Sequence, residues 1–134
     1  MKKILSQILI VASILIYTDA FAGFGENKWE FDANTEAKVG KSESQKVGVI
    51  YSCNQLEPAA TFHLEYNNDD ALDRIKIVTQ NPNQVVHNKE TKTFIISNAT
   101  SLEVRFPWAS GPYTFRNMTG TKVIGSDCDI GEYN

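Results

Sequence analysis

The chain has 134 residues, with 13 Lys and Arg against 16 Asp and Glu, a net charge of −3 with histidine neutral. That length suits one domain, and the absence of a basic run argues against nucleic acid or an anionic membrane surface as a partner. Two cysteines and two scattered histidines are too few for a zinc site at these spacings.

The chain opens with Lys2 and Lys3, then an apolar run from Ile4 to Tyr17 broken only by Ser6, Gln7 and Ser13. Ala20-Phe21-Ala22 supplies an A-x-A site, so residues 1–22 read as a signal peptide cleaved after Ala22. A retained anchor is the competing reading, but the densest stretch, Ile8 to Tyr17, is short for a bilayer. No cysteine follows the site, which argues against a lipoprotein. The exported part, residues 23–134, is expected to fold as one domain in the periplasm or outside the cell. Losing two lysines and one aspartate takes its basic side chains from 13 to 11 and its acidic ones from 16 to 15, net −4.

A period of two dominates the rest. Trp29 and Phe31 begin it after a short start at 23–27, and Ala33 to Ser44, polar and charged, reads as a mobile loop. Val47, Val49, Tyr51 and Cys53 form the next inward row, then Phe62 and Leu64 with Tyr66, then Ile75 and Ile77, which alternate with Arg74 and Lys76. Thr91 to Ser97 is rich in β-branched residues and fits a more fully buried strand around Phe94 and Ile95. Leu102, Val104 and Phe106 follow, then Tyr113 with Phe115, then Val123 with Ile124; Gly120 to Ser126 is also compatible with a short helix. Asn67 to Asp70, Asn81-Pro82-Asn83 and Asn88-Lys89 are turn residues at a spacing near ten. The expected fold is therefore all-β, a small antiparallel sandwich or flattened barrel. Its core is expected to hold Trp29, Phe31, Val47, Val49, Tyr51, Phe62, Leu64, Ile75, Ile77, Phe94, Ile95, Leu102, Val104, Phe106, Phe115 and Val123.

Cys53 and Cys128 are an even pair in an oxidising compartment, which predicts one disulfide. A loop of about 75 residues closed in this way contributes roughly 4 kcal/mol in the chain-entropy model.

No reactive constellation stands out. His63 alternates with Phe62 and Leu64 and so faces outward; His87 ends a strand before a turn; no G-x-S-x-G elbow is present. Asp69, Asp70 and Asp73 with Asn67 and Asn68, and separately Asp127, Asp129 and Glu132, lack EF-hand spacing and read as a solvated turn and an acidic tail. Neither cofactor nor metal is expected. Asn98-Ala99-Thr100 and Asn117-Met118-Thr119 match the N-glycosylation pattern and, in a eukaryote, would mark exposed positions. The remaining candidate is Pro107-Trp108-Ala109-Ser110-Gly111-Pro112. Two prolines stiffen it, and Trp108 is either a cap on the core or an aromatic anchor for a partner.

Two family resemblances are carried by single residues in order. Trp29, Cys53 after Val47 to Tyr51, the segment Ser101 to Arg105, Tyr113-Thr114-Phe115, Gly120 and Cys128 resemble the VasI-type periplasmic accessory proteins of type VI secretion. That resemblance implies a small β domain acting in a secretion apparatus. Tyr51-Ser52-Cys53, Phe62 to Asn68, Ala109-Ser110-Gly111 and Cys128 resemble the periplasmic inhibitors of C-type lysozyme. There an S-G-x-x-Y stretch and a following Lys-Gly contact the enzyme; here Tyr113 comes one residue early and Thr119-Gly120 stands in place of Lys-Gly. That second resemblance implies partner contacts at Ser110, Gly111 and Tyr113. The expected role is thus non-catalytic binding of another envelope or secreted protein, as accessory, immunity or inhibitor protein. A small secreted hydrolase is the alternative.

Overall fold

A computed structural model describes residues 28–40 and 46–133; the expected signal peptide lies outside them. Ten strands are assigned: β1 Trp29–Phe31, β2 Glu36–Val39, β3 Gly48–Glu57, β4 Ala60–Glu65, β5 Lys76–Thr79, β6 Val85–Asn88, β7 Thr93–Ala99, β8 Leu102–Phe106, β9 Tyr113–Asn117 and β10 Val123–Tyr133. They form two antiparallel five-stranded sheets, one in the order β1-β10-β3-β8-β5 and the other β2-β9-β4-β7-β6. The sheets do not close on each other, so the fold is a sandwich rather than a barrel.

Successive strands change sheet at every step except β6 to β7, which form a hairpin. The connections therefore bridge the layers, and the inward rows of both sheets meet in one interior. Phe62 of the second sheet stacks on Phe115 at 4.6 Å and meets Phe31 of the first at 5.4 Å. Tyr51 lies edge-on to Trp29 and to Phe106. Each such aromatic pair adds about 0.5–1.5 kcal/mol beyond its area.

Most of the expected core is buried or packed against it: Trp29, Phe62, Leu64, Ile75, Val104, Phe106 and Val123 are buried, and Phe31, Tyr51, Ile77, Phe94, Leu102 and Phe115 are partly buried against them. Val47 and Val49 are only half-buried, because they stand at the open end of β3. Ile95 belongs to the outer face. It lies opposite His63 and Val86, while its neighbour Ile96 is completely buried. Strand β7 thus keeps the period of two, and β-branching did not signal two-sided burial.

Three further expectations are corrected. Ala33 to Ser44 is not wholly loop: Glu36–Val39 pairs with β9, with Val39 4% exposed, and positions 41–45 lie outside the described residues. Its charges suit an edge strand, where one flank faces water. Gly120 to Ser126 forms no helix, and Asp127 to Glu132 is no tail; from Val123 onward both belong to β10, which pairs with β3 from Ile124↔Glu57 to Tyr133↔Gly48.

Cys53 and Cys128 are directly opposed on β3 and β10 and joined by a disulfide, with Cα atoms 4.0 Å apart and a sequence separation of 75. Beside it the ladder skips Asn54 and Asp127, whose side chains hydrogen-bond to each other, and Asp127 has a positive φ of 53°. Gly125 is required here, since a Cβ would lie 2.7 Å and 2.8 Å from the two cystine sulfurs. The staple therefore holds the end of β10 in register with the start of β3, where the candidate site lies.

Candidate functional site

The segment Pro107 to Pro112 is not a hairpin turn. It carries the chain from β8 in the first sheet to β9 in the second. A 3-10 turn at Trp108–Ser110 occupies its middle, and the Gly111 N–H donates to the Trp108 carbonyl at 3.2 Å. Ser110 is fully buried; its hydroxyl donates to the Asp70 carbonyl, and its own carbonyl accepts from the Asn67 N–H at 2.9 Å. Tyr113 is 2% exposed and its hydroxyl donates to the Pro107 carbonyl. Burial pushes the Tyr113 phenol up, out of the physiological range, so it remains a donor. The connector is thereby tied to the turn after β4 and back onto itself.

Ser110, Gly111 and Tyr113 all face inward, and both hydroxyls are engaged by main-chain carbonyls. Of the four candidate contact residues Trp108 is partly exposed and the other three are buried. It forms one wall of a surface cleft of about 150 Å³ with Lys46, Gly48, Arg74, Pro107, Ala109 and Tyr133. The Lys46 ammonium lies 5.2 Å from the centre of the Trp108 ring, within cation–π range.

Tyr133 reaches the cleft because its cross-strand partner is glycine. A Cβ on Gly48 would lie 2.5 Å from the Tyr133 ring, so the phenol lies across bare backbone. The Arg105 guanidinium is 6.0 Å from the centre of the same ring. Burial raises the Tyr133 pKa, with Arg105 and Arg74 acting against the rise. Its hydroxyl is buried and has no hydrogen-bond partner among the described residues. Lys46 and Arg74 form no ion pair with a carboxylate among the described residues, whereas Arg105 meets Glu103 at 3.2 Å. Among the described residues the cleft therefore combines two cations with no carboxylate partner, two aromatic rings and a hydroxyl with no acceptor, a set that accepts an anionic group next to an apolar one.

The sequence pointed to Trp108 but missed Lys46, Gly48, Arg74 and Tyr133. Alternation does place Arg105 and Lys76 outward, yet nothing local says that these cations share one end of one sheet.

The histidines are not brought together. His63 lies on the outer face of the second sheet opposite Arg116 and Ile95. His87 lies opposite Phe94 and turns toward the interior, its Nε2 2.8 Å from the Tyr66 hydroxyl and its ring stacked on Phe94 at 4.2 Å. Burial, then Lys89, lowers the His87 pKa against an opposing pull from Asp69.

Among the described residues no three His, Cys, Asp or Glu side chains gather as a metal site. Asn117, expected to be exposed if glycosylated, is 2% exposed; its amide donates to the Phe31 and Asp32 carbonyls, so it is a structural residue. No helix of the described residues is long and apolar enough to cross a membrane. Comparisons with family models, curated proteins and solved structures return no match.

Proposed function

We propose that the protein is an exported, non-catalytic binding domain of the cell envelope or its surroundings, and that it holds a partner protein at the Trp108 cleft. In this reading it serves as an accessory, immunity or inhibitor protein, in the periplasm or outside the cell. The observation that carries the reading is a partly buried tryptophan on a doubly tied connector, beside Lys46 and Arg74, which meet no carboxylate among the described residues. A rigid aromatic anchor loses little entropy on binding, and Trp and Arg dominate interface energetics. Ser110, Gly111 and Tyr113 contribute by shaping the connector from beneath. The export reading is supported by the A-x-A site and by the disulfide. The hydrolase alternative is weakened by the two histidines, which face opposite sides of the second sheet.

The test is capture from envelope extract on immobilised mature protein. Trp108→Ala is expected to weaken capture of a specific partner by about tenfold or more, with the fold retained by circular dichroism. Capture indifferent to Trp108, or a hydrolytic activity abolished by replacing His63 or His87 in a folded protein, overturns the reading.

A further inference from the structure

Directly opposed residues on adjacent strands share a face. The registers therefore place Lys76, Arg105, Ile50 and Gly131 in one row across the outside of the first sheet. They place Val78, Glu103, Ser52 and Asp129 in the next. Lys46 and Arg74 line the cleft beyond the first row. Asp127 lies beyond the second, nearer the start of β10, with its carboxylate accepting from Asn54. The face is positive at the connector end and negative at the other, although the chain as a whole is acidic.

The two rows are two residues apart, about 7 Å along the strands. That is shorter than the Debye length of roughly 8 Å at physiological ionic strength. An extended polyanion laid on this face would meet the acidic row together with the basic one. A folded protein surface can alternate its own charges on that scale, and so be attracted by both rows.

Resting on the protein-binding reading above, we propose that the outer face of the first sheet recognises a protein partner by this two-row pattern. A protruding carboxylate of the partner enters the cleft between Lys46, Arg74 and Trp108, and cationic side chains of the partner lie against Asp129 and the second carboxylate oxygen of Glu103, whose other oxygen meets Arg105 at 3.2 Å. The Tyr133 hydroxyl then donates to the incoming carboxylate, and Trp108 covers the apolar stem.

Nuclear magnetic resonance of the labelled mature protein tests this with four probes: a synthetic peptide carrying one aspartate flanked by lysines, an oligoglutamate peptide, inorganic phosphate and phosphatidylglycerol vesicles. The mixed-charge peptide is expected to shift the Trp108 indole N–H and the Arg74 signals in the millimolar range. Its dissociation constant should rise about tenfold in the Lys46→Glu, Arg74→Glu double variant, and severalfold in Glu103→Lys, Asp129→Lys. No shift, equal or tighter binding of oligoglutamate, phosphate or vesicles, or indifference to both charge reversals overturns the proposal. If Trp108→Ala still abolishes capture of a partner that the charge reversals leave bound, the binding reading stands and the charge pattern falls.

Discussion

The two outer faces of the sandwich treat their charges differently. On the second sheet Arg116 meets Glu36 at 2.9 Å and Glu65 at 3.6 Å, and Lys38 meets Glu36 at 3.2 Å. Each of these cations is answered by a carboxylate on its own strand or a neighbouring one, and the face is electrostatically closed. On the first sheet Lys122 is answered by Glu30 at 3.1 Å at the β1 edge and Arg105 by Glu103 at 3.2 Å, but at the connector end Lys46, Arg74 and Lys76 have no carboxylate partner among the described residues. The same residue types thus serve as fold chemistry across the second sheet and as available chemistry at the connector end of the first. The difference lies in register: Glu36, Arg116 and Glu65 are brought within reach by β2, β9 and β4, whereas the basic row of the first sheet runs on to Ile50 and Gly131.

The disulfide offers the largest perturbation. Cys53→Ala with Cys128→Ala should destabilise the protein by about 4 kcal/mol, from the loop of 75 residues, measured by urea unfolding. Because β10 carries Tyr133 to the cleft, loss of the disulfide should also shift the Trp108 indole N–H resonance in the still-folded variant more than signals from the second sheet. Equal disturbance of both would break the contrast. Gly48→Val comes next. Its branched side chain would collide with the Tyr133 ring, with a Cβ already at 2.5 Å, and overpacking of this kind costs about 1–3 kcal/mol. The expected signature is a displaced Tyr133 and a changed Arg105 environment, with the Glu36–Arg116 pair untouched.

The smallest effects sharpen the comparison best. Arg116→Ala should cost about 0.2–1 kcal/mol, the range of exposed pairs, and less at high salt. Arg74→Ala should leave thermal stability unchanged. For Glu36, burial alone would raise the carboxyl pKa, but hydrogen bonds and charge from Arg116 and Lys38 outweigh it and hold it below the usual carboxylate range. A lowered folded pKa contributes stability above the unfolded pKa, lost as pH falls through the folded one. Carbon-detected titration should therefore find Glu36 ionising at lower pH than an ordinary glutamate, and Arg116→Ala should move it upward. An unshifted Glu36 would mean that the pairing is geometric only.

Much of this architecture was legible in the sequence, because a strand with one wet face must alternate. Alternation alone located Phe62, Leu64, Val104 and Phe106 in the interior and His63 outside it, and the composition of the turns implied a sandwich or barrel. The pairing of Cys53 with Cys128 followed from their being the two cysteines of the chain. At Ile95 β-branching pointed inward while alternation held, because a β-branched side chain suits either face of a strand. Alternation was silent on β2, whose charged residues resemble a loop until an edge partner is supplied.

The site itself was a tertiary decision. Trp108 could be singled out from its prolines, yet whether Ser110 and Tyr113 turned outward depended on carbonyls at Asp70 and Pro107 that only the folded connector brings near. Lys46, Arg74 and Tyr133 are separated by up to 87 positions in the chain and meet because β3, β8 and β10 are neighbours in one sheet. Periodicity reports which side of a strand is dry, since burial acts on each residue separately. Which charges remain unanswered depends on strand order and register, and these arise from the packing of the whole chain.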